Sequence, residues 1–264
     1  MSTLLKRSSV TLVLALLGGC SQGGPSTLAP PTPSPHPSPT VLRSPGEQPP
    51  PRSRAIRFLA GDGTRLAGRL FGSGNLGVVL AHQIDNDQTA WFDFAGELAS
   101  AGYLTLTFDF RGYCPGGMGG CSATGSLSET WRDVLGAVRT LRERGATHVW
   151  LIGASIGGDA CLQAASTGAP GIGGVITMSS PSYVGAYDIR RSTMQRLRVP
   201  KLFIAGRFDG DAAKSARSFF RWSDEPRDIL VLQTGEHGTD LLDDTSPAIR
   251  SRVRGAILSE ISAG

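Results

Sequence analysis

His148-Val149-Trp150-Leu151-Ile152-Gly153-Ala154-Ser155-Ile156-Gly157-Gly158-Asp159-Ala160-Cys161-Leu162 is the stretch whose reading decides the fold of this chain. Its first half is an unbroken apolar run of the kind that forms a buried strand, and its second half has the small residues and spacing of a helix that continues to Ala165. Gly153, Ser155 and Gly157 fall where one passes into the other. A chain that goes from strand to helix in so few residues turns too tightly for anything but glycine or a very small residue beside the turn. Such a turn lifts the Ser155 hydroxyl above the sheet edge. It also points the Ile156 N–H, at the helix N-terminus, towards an oxyanion formed during acyl transfer. In a chain with 35 glycines the pattern alone is weak, and a helix-capping serine in a glycine-rich turn competes with it. The strand-to-helix context makes it strong.

Outward from this turn, strand and helix patterns alternate, which predicts an α/β fold with a mostly parallel central sheet and helices on both faces. Strands are predicted at 55–60, 65–71, 77–81, 103–110, 148–153, 174–178, 201–205 and 228–233, with Asp62-Gly63 as a hairpin turn between the first two. Helices are predicted at 88–101, 128–144, 156–165, 188–197, 212–222 and 247–261. Trp131, Val134, Leu135, Val138 and Leu141 form one apolar stripe on the second of these. The stretch 180–200 is too short for a large lid domain, so a fairly open site is expected. There is no internal repeat.

A serine nucleophile needs a base, and an elbow of this kind is followed in the chain by an acid and then a histidine. Of the four histidines only His237 follows Ser155, in Gly235-Glu236-His237-Gly238 just past the last predicted strand. Asp209 stands between them, after Leu202-Phe203-Ile204-Ala205-Gly206, with Asp211 as its near rival. The acid would hold the imidazole in the right tautomer and stabilise its protonated form. His36 reads as solvated and idle, His148 as structural at the start of a strand, and Trp131, Trp150 and Trp222 as packing.

These features together resemble the α/β-hydrolase superfamily, and within it the small dienelactone-hydrolase-like and esterase-like members. The resemblance rests on the elbow, on Phe108-Asp109-Phe110-Arg111-Gly112 after a strand, on the Gly206…Asp209 turn and on His237-Gly238-Thr239-Asp240-Leu241-Leu242. It covers nearly everything from Ala55 to Ile261. The resemblance implies the α/β-hydrolase fold and a Ser155–Asp209–His237 triad. It implies a second oxyanion donor by position at Ile84, with Gln83 the lesser candidate, and a structural His82. Family members often carry His-Gly-X here, whereas this chain has His82-Gln83-Ile84. Dienelactone hydrolases use a cysteine nucleophile, so Ser155 argues against that chemistry.

The N-terminus reads as an export signal. Lys6 and Arg7 precede an apolar run from Val10 to Leu17, which is shorter than the roughly 20 residues needed to span a bilayer. Leu17-Gly18-Gly19-Cys20 resembles the lipobox of bacterial lipoproteins. Residues 1–19 are expected to be a signal peptide, 20–53 a Pro/Ser-rich tether lipidated at Cys20 and extended or disordered, and 54–264 the catalytic domain. The protein would then be exported and lipid-anchored to the cell membrane. In that oxidising setting Cys114 and Cys121, flanking Pro115-Gly116-Gly117-Met118-Gly119-Gly120, are disulfide candidates. Cys161 reads as a buried apolar residue.

A net charge of +4, spread without like-charge blocks, excludes nucleic acid as a partner. The expected activity is hydrolysis of small-molecule carboxylic esters through an acyl-enzyme on Ser155, with no metal and no organic cofactor. A peptidase or acyltransferase with the same triad, and a non-catalytic binding lipoprotein on a hydrolase scaffold, are the alternatives.

Overall fold

The computed structural model describes residues 53–84, 86–112, 125–243 and 246–263. The expected signal peptide, Cys20, most of the tether, and Cys114 with Cys121 lie outside the described residues. Strand β1 begins at Ser53, the last residue given to the tether.

Eight strands build the central sheet: β1 (Ser53–Leu59), β2 (Arg65–Phe71), β3 (Leu76–Ala81), β4 (Leu104–Phe108), β5 (His148–Ala154), β6 (Ile172–Met178), β9 (Lys201–Gly206) and β10 (Arg227–Leu232). Their order is β1-β2-β4-β3-β5-β6-β9-β10. All pairings from β4 across to β10 are parallel, and the β1–β2 hairpin closes the other edge with antiparallel pairings. The Asp62-Gly63 turn is as expected: Thr64 N–H donates to the Asp62 carboxylate, and Gly63 takes a positive φ of 87°.

The central strands are apolar throughout because both of their faces are covered. Successive residues point to opposite sides, so Val79 and Ala81 of β3 join one core cluster while Val78 and Leu80 join the other. The first cluster is covered by α2 (Thr130–Arg142), α3 (Ile156–Ala165) and α5 (Gly210–Trp222). The second is covered by α1 (Phe92–Ser100) and α7 (Pro247–Ala263). Val134, Val138 and Leu141 of the predicted stripe are buried, with Trp131 and Leu135 packed at its margin. Trp150 is buried and Trp222 packs against the core, in line with the reading as packing residues.

Two helical expectations are corrected. The stretch 188–197 is not one helix. A two-stranded ribbon of β7 (Tyr183–Val184) and β8 (Tyr187–Asp188) precedes a single turn, α4 (Arg191–Met194). Tertiary contacts override the local pattern here: the Tyr187 hydroxyl reaches into the core, where it meets Thr130 Oγ1 at 2.8 Å and accepts from Trp131 N–H at 3.0 Å. In 88–101 a 3₁₀ turn over Gln88–Trp91 comes first, because the Asp87 carboxylate caps Thr89 N–H at 2.7 Å. A further short helix, α6 (Asp240–Asp243), follows the last strand and had no sequence signal of its own. Among the described residues, no helix is long and apolar enough to cross a membrane.

Candidate active site

The strand order places a crevice before any side chain is considered. From β3 the chain moves outward to β4, then returns across β3 to β5. The loop leaving β3 leads to α1 on one face of the sheet, and the turn leaving β5 leads to α3 on the other. Loops that diverge at such a switch point leave a cleft beyond the carboxyl ends of the strands.

Ser155 stands at that switch point, between β5 and α3, with φ 49° and ψ −122°. A non-glycine residue in this region is strained and persists only where its surroundings over-determine it. Here Ser155 N–H donates to Met178 O at 2.8 Å. Its carbonyl accepts from Gly158 N–H at 2.9 Å and from the Ser180 hydroxyl at 2.9 Å. The flanking glycines are obligatory: a Cβ on Gly153 would lie 2.3 Å from Gly157 O, and one on Gly157 would lie 2.4 Å from Ala81 O. The second figure also measures how closely the elbow sits against the end of β3. Ile156 opens α3, so its N–H has no acceptor within the helix.

The acid and the histidine are brought together by the last two strands. The β9–β10 pairing ends at Gly206 opposite Leu232 and runs on irregularly, as Arg207 N–H donates to Leu232 O and Phe208 N–H to Thr234 O. The two loops therefore leave the sheet side by side. Asp209 Oδ1 and Oδ2 lie 2.9 and 3.0 Å from His237 Nδ1. Its rival Asp211 points elsewhere and pairs with Lys214 at 2.9 Å on the surface. The Asp209 side chain is mostly buried, while the His237 ring is 40 % exposed.

The loop leaving β3 is anchored at both ends. At its start, His82 is fully buried, and Phe110 N–H donates to its Nε2 at 3.1 Å. That bond leaves the ring proton on Nδ1, which donates to Gln83 O at 2.7 Å. Burial holds the His82 pKa down at about 4, so the ring is neutral. This is a structural histidine, as the sequence implied. At the far end, the Asp109 carboxylate accepts from Gln88 N–H at 3.1 Å and from Gln88 Nε2 at 2.6 Å. Burial pushes the Asp109 pKa up to about 6. Ile84 lies on the span between these anchors with its side chain partly exposed. Ser180, Gln83 and Asn86, which touch the elbow or the histidine loop, were not singled out by sequence for these contacts, because each partner is far away along the chain.

Arg111, of the Phe108–Gly112 stretch, ties the same edge to the frame: it binds Asp133 of α2 at 2.7 Å and the Asp62 turn at 2.7 Å. Cys161 is buried in α3, and His148 is exposed at the opposite end of β5 from Ser155. Among the described residues there is no group of three or more His, Cys, Asp or Glu side chains that could hold a metal ion.

A family model for the alpha/beta hydrolase fold matches residues 73–257. No curated protein matches the sequence. Solved structures resemble it in fold at low identity. An esterase of Pyrococcus furiosus has a TM-score of 0.67 and 15 % identity over 80 % of this chain and 91 % of its own. A monoacylglycerol lipase of Paleococcus ferrophilus has a TM-score of 0.62 and 16 % identity over 75 % and 98 %. A dienelactone hydrolase of Anabaena variabilis has a TM-score of 0.63 and 16 % identity over 80 % and 98 %. With its switch-point strand order, its strained Ser155 turn and a family match across most of its length, this chain belongs to the α/β-hydrolase fold family.

Proposed function

We propose that the protein is a serine hydrolase that cleaves carboxylic esters. The observation that carries the reading is the His237 Nδ1 contact with both Asp209 oxygens, at the same sheet edge as the strained Ser155 turn. In this reading His237 Nε2 takes the Ser155 proton as Oγ bonds to the ester carbonyl carbon. The Ile156 and Ile84 N–H groups stabilise the oxyanion. The same proton then passes to the departing alcohol, leaving an acyl-enzyme. Water, deprotonated by His237, attacks that acyl carbon and releases the acid and free Ser155.

The esterase and lipase names of the structural neighbours agree with this reading. So does the distribution of exposed apolar side chains. Of the four large ones among the described residues, Ile84, Tyr183 and Phe208 follow β3, β6 and β9 at the Ser155 edge. Exposed apolar groups gathered at one edge suit an ester with an apolar arm. Export and anchoring through Cys20 are part of the proposal and rest on the order of Lys6-Arg7, the apolar run and Leu17-Gly18-Gly19-Cys20.

The test is labelling by a fluorophosphonate together with turnover of p-nitrophenyl esters of graded acyl length. The wild type should label at Ser155 and turn over, and Ser155→Ala should do neither while keeping its thermal unfolding. Ordinary turnover by Ser155→Ala would overturn the assignment.

A further inference from the structure

Gln83 occupies the loop leaving β3, one residue before Ile84, and its side chain is buried. Its Oε1 accepts two hydrogen bonds from a residue 156 positions away: Thr239 N–H donates at 2.9 Å and the Thr239 hydroxyl at 3.2 Å. A backbone N–H can only donate, so these bonds define which end of the carboxamide is oxygen. The same Oε1 lies 2.0 Å from the position a Cβ on Gly238 would take, and Ala154 Cβ lies 3.3 Å from that position. Gly238 itself has φ 58°. The carboxamide is thus packed against Gly238 and Thr239, the two residues after His237. Asn86 Nδ2 adds a longer bond to the Thr239 hydroxyl at 3.4 Å. On the other side, the Gln83 carbonyl is held by His82 Nδ1–H, which is itself locked by Phe110.

We infer that Gln83 is a positioning residue that ties the histidine loop to the oxyanion loop, so that His237 and Ile84 are held as one unit. The inference rests on the triad reading above. Its physical basis is the place of His237 on a loop after the last strand, where its position depends on how the residues that follow it are fixed. Misplacement of about 1 Å in such a constellation costs on the order of 100-fold in rate. A buried acceptor serving a backbone N–H fixes those residues, and the Gly238 position makes room for it as no side-chain-bearing residue could.

The experiment compares Gln83→Leu, which removes the acceptor at similar volume, with Gln83→Glu, which keeps it and adds a charge near His237. For Gln83→Leu, kcat on p-nitrophenyl acetate should fall about 10- to 100-fold with KM within about two-fold, and Thr239 amide exchange should quicken. Gln83→Glu should restore most of kcat. It should also move the acid limb of the kcat profile to higher pH, since a nearby carboxylate favours the imidazolium. Gln83→Met serves in the same way if the leucine variant does not fold. A Gln83→Leu protein with unimpaired kcat, or one that loses only thermal stability while Thr239 stays protected, overturns the positioning role. A wild type that fails to react with a fluorophosphonate overturns the triad reading instead.

Discussion

Asp159 lies in the first turn of α3, four residues after Ser155, fully buried, and neither of its carboxylate oxygens meets a hydrogen-bond partner among the described residues. Burial pushes its pKa well above the ordinary carboxylate range. In the folded protein Asp159 therefore keeps its proton at pH values where the unfolded chain, with an aspartate pKa of about 3.9, has released its own. The folded state binds more protons there, so stability falls as pH rises above about 4, and it levels off only once the folded carboxyl ionises too. Proximity to the helix N-terminus favours the anion, but only by about 0.3–1 kcal/mol. Replacing Asp159 with asparagine keeps the size and removes the titration. The variant should thus gain on the wild type by up to about 1.4 kcal/mol per pH unit above pH 4. Each such unit is worth about 3–6 °C in Tm for a domain of this size, at about 2–4 °C per kcal/mol. The assay is thermal unfolding by circular dichroism from pH 4 to 8 on both proteins. The unsatisfied amide of asparagine shifts the comparison by a constant, so the slope of the difference carries the test. A Tm difference that stays flat or narrows with rising pH would refute the reasoning.

Asp209→Asn should lower kcat/KM by about 10³–10⁴-fold. Asp211→Asn, which breaks only an exposed pair with Lys214, should stay within about two-fold; the reverse pattern in steady-state kinetics would exchange their roles. His82 has the opposite pH sign to Asp159: its folded pKa of about 4 lies below the ordinary 6.5, so the unfolded chain binds the proton first. Stability should then drop by about 3 kcal/mol as pH falls from 6.5 to 4, and urea unfolding of His82→Gln across that range should lack this component. In the native host, Cys20→Ser should move the protein from the membrane fraction to the soluble or secreted one, read by fractionation and immunoblot. Unchanged membrane association would point to an uncleaved anchor.

The elbow was legible in the sequence because its causes are local. The apolar run of β5, the helical spacing of α3 and the glycines two residues either side of Ser155 all lie within one short window, and the steric demand of the turn acts across that same window. The parallel sheet was legible for a similar reason: strands buried on both faces are continuous apolar runs, whatever their order. His237 could be singled out by chain order. The segment 188–197 misled, since its helix-like composition is overruled by the contacts Tyr187 makes with α2. The sequence preferred Asp209 to Asp211 by its offset from Gly206, but only the tertiary structure supplies the reason: the irregular pairing beyond Gly206 and Leu232 brings one carboxylate and not the other to His237. Only it revealed that Gln83 serves Thr239, that Ser180 braces the Ser155 carbonyl, and that Asp159 is buried without a partner among the described residues. Local sterics and periodicity act between residues a few positions apart and are written in order along the chain. Hydrogen bonds across a sheet edge join residues whose nearness depends on the order in which the strands assemble, and that order is decided by packing both faces of the sheet at once.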